Sequence, residues 1–108
     1  MLLSINVFAA PAPQWAEDSN GNRSLEVLGI NPGGNGGNGT LISLVNANIT
    51  KGNCNYNTGL FLSSDNPDYN SLFSLVLAAK MSGKNIKVYY GGCSANSEYP
   101  LIENIYLE

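Results

Sequence analysis

Apolar and polar positions alternate in several parts of the chain, and this alternation predicts strands. Short apolar-rich runs cover residues 24–30 and 40–49, and the alternation is clearer over residues 54–62 and 85–90. Side chains of a strand point to its two faces in turn, so a period of two indicates a strand with one buried face. A last apolar segment, residues 101–106, completes the predicted set.

The connection between two of these strands is predicted to be tight. Lys51-Gly52-Asn53 has the composition of a turn and separates residues 40–49 from residues 54–62. Two strands joined this closely are expected to form a hairpin.

One segment has helical periodicity. Asn66 is expected as the N-cap, Pro67 suits the first helical position, and Gly83 is typical of the residue after the last turn. Apolar side chains at helical spacing predict an amphipathic helix between these ends. Its predicted buried stripe comprises Tyr69, Leu72, Phe73, Leu75, Val76, Leu77, Ala79 and Met81.

The chain is expected to form a single domain, residues 1–108, of the α+β class. Residues 1–39 are assigned N-terminal strands, with Leu3, Ile5 and Val7 on one strand face, and a Gly-rich loop. The loop contains Gly34, Gly36 and Gly39 at the spacing of a dinucleotide fingerprint. That motif needs a following helix N-terminus, whereas a strand is predicted here, so a flexible loop is the preferred interpretation.

Composition excludes several partners. Charged residues make up 12% of the chain, about half the usual share, and sixteen Asn supply much of the polar surface. The net charge is −3 and the five basic residues are scattered, so the chain lacks the basic patch that nucleic acids require. No apolar run approaches the length of a membrane span.

Cys54 and Cys93 are the only cysteines, and the chain has no His. Their spacing matches no zinc motif, so either they form one disulfide that closes a long loop or one of them is a reactive thiol. The disulfide is the preferred interpretation, and it predicts a secreted or periplasmic protein.

The residues that catalysis usually needs are scarce. Without His, a Ser or Cys nucleophile has no imidazole base. Asp65 and Asp68 are close in sequence and could form a catalytic carboxylate pair. Their position at the predicted start of a helix, where negative charge is favoured, accounts for them without catalysis. Asp18, followed by Asn20 and Asn22, imitates the start of a calcium loop without its Gly and Glu. We therefore expect no catalytic residues, no metal and no cofactor.

Aromatic residues are the candidate ligand-binding groups, and those selected are Trp15, Tyr56, Tyr89 and Tyr99. Tyr rings combine apolar area with a polar tip and suit glycan or protein interfaces. The alternative is that most of the rings pack in the core. Alternation puts Tyr89 and Tyr90 on opposite faces of one strand, which predicts that one of the two is exposed.

Two segments carry a resemblance to a known family: residues 77–90, which span the helix end and the next strand, and the Tyr99-Pro100-Leu-Ile segment. By these segments the chain, from about Thr40 onward, resembles the B subunits of AB5 toxins, especially the pertussis-like branch that includes subtilase cytotoxin and typhoid toxin. The cysteine positions also resemble those of short exported bacterial proteins of unassigned function. Residues 1–39 do not align to the toxin subunits, whose disulfides lie elsewhere.

The resemblance implies a small OB-like antiparallel β-barrel with one amphipathic helix, its core in residues 40–108. The element order independently fits such a barrel, which has five strands and a helix at one end. The implied function is an exported, non-enzymatic, carbohydrate-binding subunit that forms a homo-oligomer, with a pentamer as the expected form. The alternative is a secreted or periplasmic inhibitor or structural protein that acts through a protein interface.

Overall fold

A computed structural model describes residues 10–33 and 38–107 of the protein. The predicted N-terminal strand face of Leu3, Ile5 and Val7 and residues 34–37 of the Gly-rich loop lie outside these residues. The elements, in chain order, are β1 (Gln14–Trp15), β2 (Leu25–Pro32), β3 (Gly39–Leu44), β4 (Leu60–Ser63), α1 (Tyr69–Ser82), β5 (Asn85–Cys93), a 3-10 turn (Ala95–Ser97) and β6 (Pro100–Leu107).

The described strands form a ring. Pairing runs from β2 through β3, β4, β6 and β5 and returns to β2, while the short β1 pairs with β5. All pairings in the ring are antiparallel except that of β4 with β6, which is parallel. The described residues contain six strands and one helix, which make this a small β-rich α+β domain, as predicted from the sequence.

Side chains on the inner faces of the strands pack against one face of α1. Leu72, Val76 and Ala79 are the buried residues of the helix, and their spacing of four and three places them on one face. The strands contribute most of the other residues of a single buried cluster, including Leu25, Val27, Ile42, Leu60, Leu62, Ile86, Val88, Tyr90, Ile102 and Ile105.

The predicted start of the helix was wrong by two residues. The N-cap is Asp68, and Asn66 instead accepts a hydrogen bond at Oδ1 from the Asp68 backbone N–H, 2.8 Å away. Such a turn is a local alternative to helix for Asn. Pro67 therefore lies in the turn before the helix.

The end of the helix agrees with the prediction. Gly83 has φ 71°, and the Lys84 N–H donates to the Ala79 carbonyl oxygen at 3.0 Å. Leu77 and Met81, predicted in the buried stripe, are instead exposed, because the strands cover only the face that carries the three buried residues. The described residues include no helix that is long and apolar enough to cross a membrane.

The predicted tight hairpin was wrong. β3 and β4 do pair in an antiparallel manner, but residues 45–59 connect them, and the strand assigned to residues 54–62 is limited to Leu60–Ser63. In this connection Asn55 and Tyr56 donate their backbone N–H groups to the carbonyls of Ser97 and Glu98. Residues 54–58 thus alternate in polarity without forming a strand, because no described strand pairs with them.

The predicted disulfide is present. Cys54 and Cys93 are bonded, with their Cα atoms 5.6 Å apart across a sequence separation of 39. The bond joins the long connection after β3 to the end of β5. It acts together with the hydrogen bonds of Asn55 and Tyr56 to hold this connection against the segment before β6.

Candidate binding surface

The outward face of β5 carries the residues of the candidate site. Ile86, Val88 and Tyr90 are buried, so the alternate residues Lys87 and Tyr89 lie on the outer face. Strand register then sets their neighbours: Tyr89 is opposite Trp15 of β1, and Lys87 is opposite Tyr106 of β6.

Three rings meet on this face. The Trp15 ring lies 5.2 Å from the Tyr89 ring in an edge-on arrangement and 5.5 Å from the Tyr106 ring in a tilted one. The Arg23 guanidinium lies 5.7 Å from the centre of the Trp15 ring, within range of a cation–π interaction. We call Trp15, Arg23, Lys87, Tyr89 and Tyr106 the Trp15 surface.

The orientation of Arg23 has a second cause. Its Nε donates a hydrogen bond to Glu17 Oε2 at 2.9 Å, and both side chains are substantially exposed. An exposed ion pair of this kind contributes little to stability. It does, however, help to hold the exposed guanidinium group beside Trp15.

A shallow pocket of about 270 Å³ opens on the Trp15 surface. It is lined by Trp15, Arg23, Lys87, Tyr106 and Leu107. Tyr106 is 48% exposed, and Trp15 is half-buried. The pocket therefore combines apolar ring faces with cationic donors at its edge, which suits a ligand that has both an apolar face and polar groups.

The other two predicted residues form a separate pair. The rings of Tyr56 and Tyr99 lie 5.2 Å apart near the disulfide, with Tyr56 49% exposed and Tyr99 half-buried. Tyr99 precedes β6 and Tyr106 lies near its end, so the two aromatic groups are at opposite ends of that strand. The four selected residues thus divide into two groups.

The face assignment of the Tyr89-Tyr90 pair agrees with the sequence. Tyr90 is 1% exposed and belongs to the core, whereas Tyr89 is half-buried on the outer face. Arg23, Lys87 and Tyr106 are not among the four selected residues, although Tyr106 is of the aromatic type expected for the site. Lys87 shares a face with Tyr89 by simple alternation, but the positions of Arg23 and Tyr106 depend on register between distant segments.

The loop that imitates a calcium site is held by hydrogen bonds of its own. Asp18 Oδ1 accepts the backbone N–H groups of Asn20 and Asn22, both at 2.9 Å, and Oδ2 accepts Asn22 Nδ2 at 3.1 Å. These bonds, with the Asn22 backbone N–H first, lower the pKa of Asp18 below its ordinary value. Within residues 10–33 and 38–107, no three His, Cys, Asp or Glu residues are arranged to hold a metal.

Fold and surface together define a small, disulfide-bonded α+β domain with an aromatic and basic patch on one sheet face. No family model, curated protein or solved structure matches this chain.

Proposed function

We propose that this protein is an exported, non-enzymatic binding module of OB-like fold that recognises carbohydrate through the Trp15 surface and assembles as a homo-oligomer. The observation that carries the proposal is the contact of Trp15 with Tyr89 and Tyr106 beside the Arg23 guanidinium. Exposed ring faces can stack on the apolar faces of sugar rings, while Arg and Lys donate to hydroxyl groups.

The path of the chain supports an OB-like fold. Five strands form the ring, its first three strands are consecutive antiparallel neighbours, and the helix lies between its third and fourth strands. The third and fifth strands of the ring form the one parallel pair. OB-folds share this arrangement and include oligosaccharide-binding proteins, although a fold alone does not assign a function.

The disulfide supports export. A bond between Cys54 and Cys93 persists in an oxidising compartment such as the periplasm or the extracellular space. The chain also has no His, which is the commonest general base in catalysis. This composition favours a binding protein over an enzyme.

An open strand edge supports assembly. β2 pairs with β5 only through Leu25 and Glu26, and the rest of that edge of β2 has no strand partner among the described residues. An unpaired edge can accept a strand from another chain. We propose a ring of identical subunits, with five as the expected number by the resemblance to AB5 toxin B subunits.

A glycan array tests the proposal, with native protein compared with Tyr106→Ala and Tyr56→Ala. The two Tyr have nearly equal exposure, but only Tyr106 belongs to the Trp15 surface, so Tyr56→Ala is the matched control. We expect reproducible binding to specific glycans, and Tyr106→Ala should weaken it about tenfold, as loss of a buried aromatic contact usually does.

Three outcomes would contradict parts of the proposal. An array without reproducible binding contradicts carbohydrate recognition, and loss of binding in Tyr56→Ala alone would move the site to the Tyr56–Tyr99 pair. Light scattering coupled to size-exclusion chromatography measures the assembly. A strict monomer contradicts the oligomer.

A second candidate function is an inhibitor or structural protein that acts through a protein interface. Leu28 is 61% exposed and Met81 is 85% exposed, and Leu77, one turn before Met81, is also exposed. Lys80 Nζ contacts the carbonyl oxygens of Val27 and Leu28, so Leu28 lies beside the same end of α1. Exposed apolar side chains that cluster often mark protein contacts.

Leu28→Ser with Met81→Ser should abolish partner binding if this candidate is correct, and should leave glycan binding unchanged if the first is correct.

A further inference from the structure

A groove of about 640 Å³ lies apart from the Trp15 surface. It opens where β4, β6 and the turn before α1 meet. β4 and β6 are joined there only by the pairing of Phe61 with Leu101, so the ring of strands is least continuous at this point. We call this site the Phe61 groove.

The floor of the groove is apolar. Phe61 is 5% exposed and Ile102 is 3% exposed, and Leu101, which also lines the groove, is half-buried. Such a floor favours an apolar part of a ligand, because ligand contact removes the remaining apolar surface from water.

The rim of the groove is acidic. Asp65 and Asp68 line one side and Glu103 the other, and all three residues are exposed. None of their carboxylates forms an ion pair or a hydrogen bond with another described residue. No Lys or Arg lines the groove, so no cation of the described chain compensates this charge.

The acidic residues on the two sides of the rim have different structural explanations. Asp65 and Asp68 precede α1, whose N-terminal dipole favours negative charge. Glu103 lies within β6, away from any helix start in sequence, and its Oε2 lies 3.2 Å from where a Cβ on Gly91 would be. The Glu103 carboxylate therefore lies beside Gly91, which also lines the groove, and it forms no ion pair or hydrogen bond with another described residue.

We propose that the Phe61 groove binds a small organic cation with an apolar body, of the arylalkylamine class. The ring of such a ligand would contact Phe61 and Leu101, and its ammonium group would lie between Glu103 and the carboxylates before α1. The volume is within the range of roughly 300–1,000 Å³ that small-molecule sites occupy. Carboxylates around a low-dielectric floor concentrate negative potential, which selects cations over neutral molecules of the same shape.

The test compares two probes that differ only in charge. Native protein labelled with ¹⁵N is titrated with 2-phenylethylamine and, separately, with 2-phenylethanol, and amide shifts are followed by NMR. We expect the amine to shift the amides of Phe61, Leu101 and Ile102 at lower concentration than the alcohol. Added salt should weaken amine binding and leave alcohol binding nearly unchanged, because only the charged interaction is screened.

Charge-neutralising variants locate the interaction. Glu103→Gln should weaken amine binding roughly twofold to fivefold, as expected for one exposed ion pair, and Asp65→Asn should have a similar effect. Glu26→Gln is the matched control, because Glu26 is an exposed strand carboxylate outside the groove. It should leave amine binding unchanged, and Tyr106→Ala should do so as well.

The proposal is overturned if the amine and the alcohol bind equally, or if neither shifts the groove amides. It is also overturned if Glu103→Gln and Glu26→Gln weaken binding to the same extent, because general charge attraction then explains the result. A further overturning result is that only an extended basic peptide, such as acetyl-Lys-Leu-Phe-Leu-Lys-amide, shifts these amides. That outcome assigns the groove to a polypeptide partner instead.

Discussion

The backbone N–H of Thr50 donates a hydrogen bond of 2.9 Å to the hydroxyl oxygen of Tyr90. Tyr90 is in the core cluster, and Thr50 lies in the long connection between β3 and β4. One phenol group thus attaches a segment without regular structure to the most buried part of the sheet.

Tyr90→Phe tests this attachment. The variant keeps the ring and its packing but removes the acceptor of the Thr50 N–H, and we expect it to lower the free energy of unfolding by about 1 kcal/mol. Urea denaturation measures the change. Tyr56→Phe, at an exposed ring whose hydroxyl has no described hydrogen bond, is the control and should be neutral. Equal effects in the two variants would contradict the assigned role of the hydroxyl.

The disulfide is expected to contribute a large part of the stability. Closure of a loop with a sequence separation of 39 restricts the unfolded chain, and the chain-entropy relation gives about 4 kcal/mol for this length. Cys54→Ser combined with Cys93→Ser should lower the free energy of unfolding by that order. Alkylation of the native protein, followed by mass spectrometry, tests directly whether the two sulfur atoms are bonded. Two free, alkylatable thiols would contradict both the disulfide and the proposal of export.

Local features of the fold were predictable, and pairing over long distances was not. Gly83 was predicted to end the helix because its left-handed conformation depends on that residue alone. Asn55 and Tyr56 were wrongly assigned to a strand because their backbone partners, Ser97 and Glu98, lie about forty residues away in sequence. No periodicity within the segment reports such a contact.

The candidate site was also predictable only in part, because contacts between distant segments complete it. Trp15 and Tyr89 were selected because aromatic rings are general candidates for binding, and the structure places them in contact. Tyr106 and Arg23 complete the surface only through the register of β6 on β5 and the path of the segment after β1. The sequence thus supplied the type of surface but not its full set of residues.

Asp18 should make stability depend on pH in the acid range. Its pKa in the folded protein is lowered below the ordinary 3.8, mainly by the Asn22 backbone N–H. The stabilising contribution is therefore present above pH 3.8 and is lost as the pH falls through the lower folded value. NMR titration of the Asp18 carboxyl carbon should give a midpoint below 3.8.

The Asn22→Ala variant separates the side-chain hydrogen bond to Asp18 from the backbone one in the same NMR titration. The variant removes the Nδ2 donor and retains the backbone donor, so the Asp18 midpoint should move only partway back to the ordinary value. A wild-type midpoint at or above 3.8 would contradict the hydrogen-bonded loop.

Two strand glycines should differ sharply in their tolerance of a side chain. A Cβ on Gly39 would overlap the Leu62 carbonyl oxygen and lie 2.8 Å from Cζ of Phe61, whereas a Cβ on Gly29 would meet no atom within 4 Å. Gly39→Ala must shift the β3 or β4 backbone as well as the Phe61 ring, and we expect a loss of about 2 kcal/mol or more in the free energy of unfolding. Gly29→Ala, the control on the neighbouring strand, should change it by less than about 0.5 kcal/mol. Thermal and urea unfolding of the two variants measure the difference. Equal stability would mean that β3 and β4 do not approach as closely as the pairing of Gly39 with Ser63 requires.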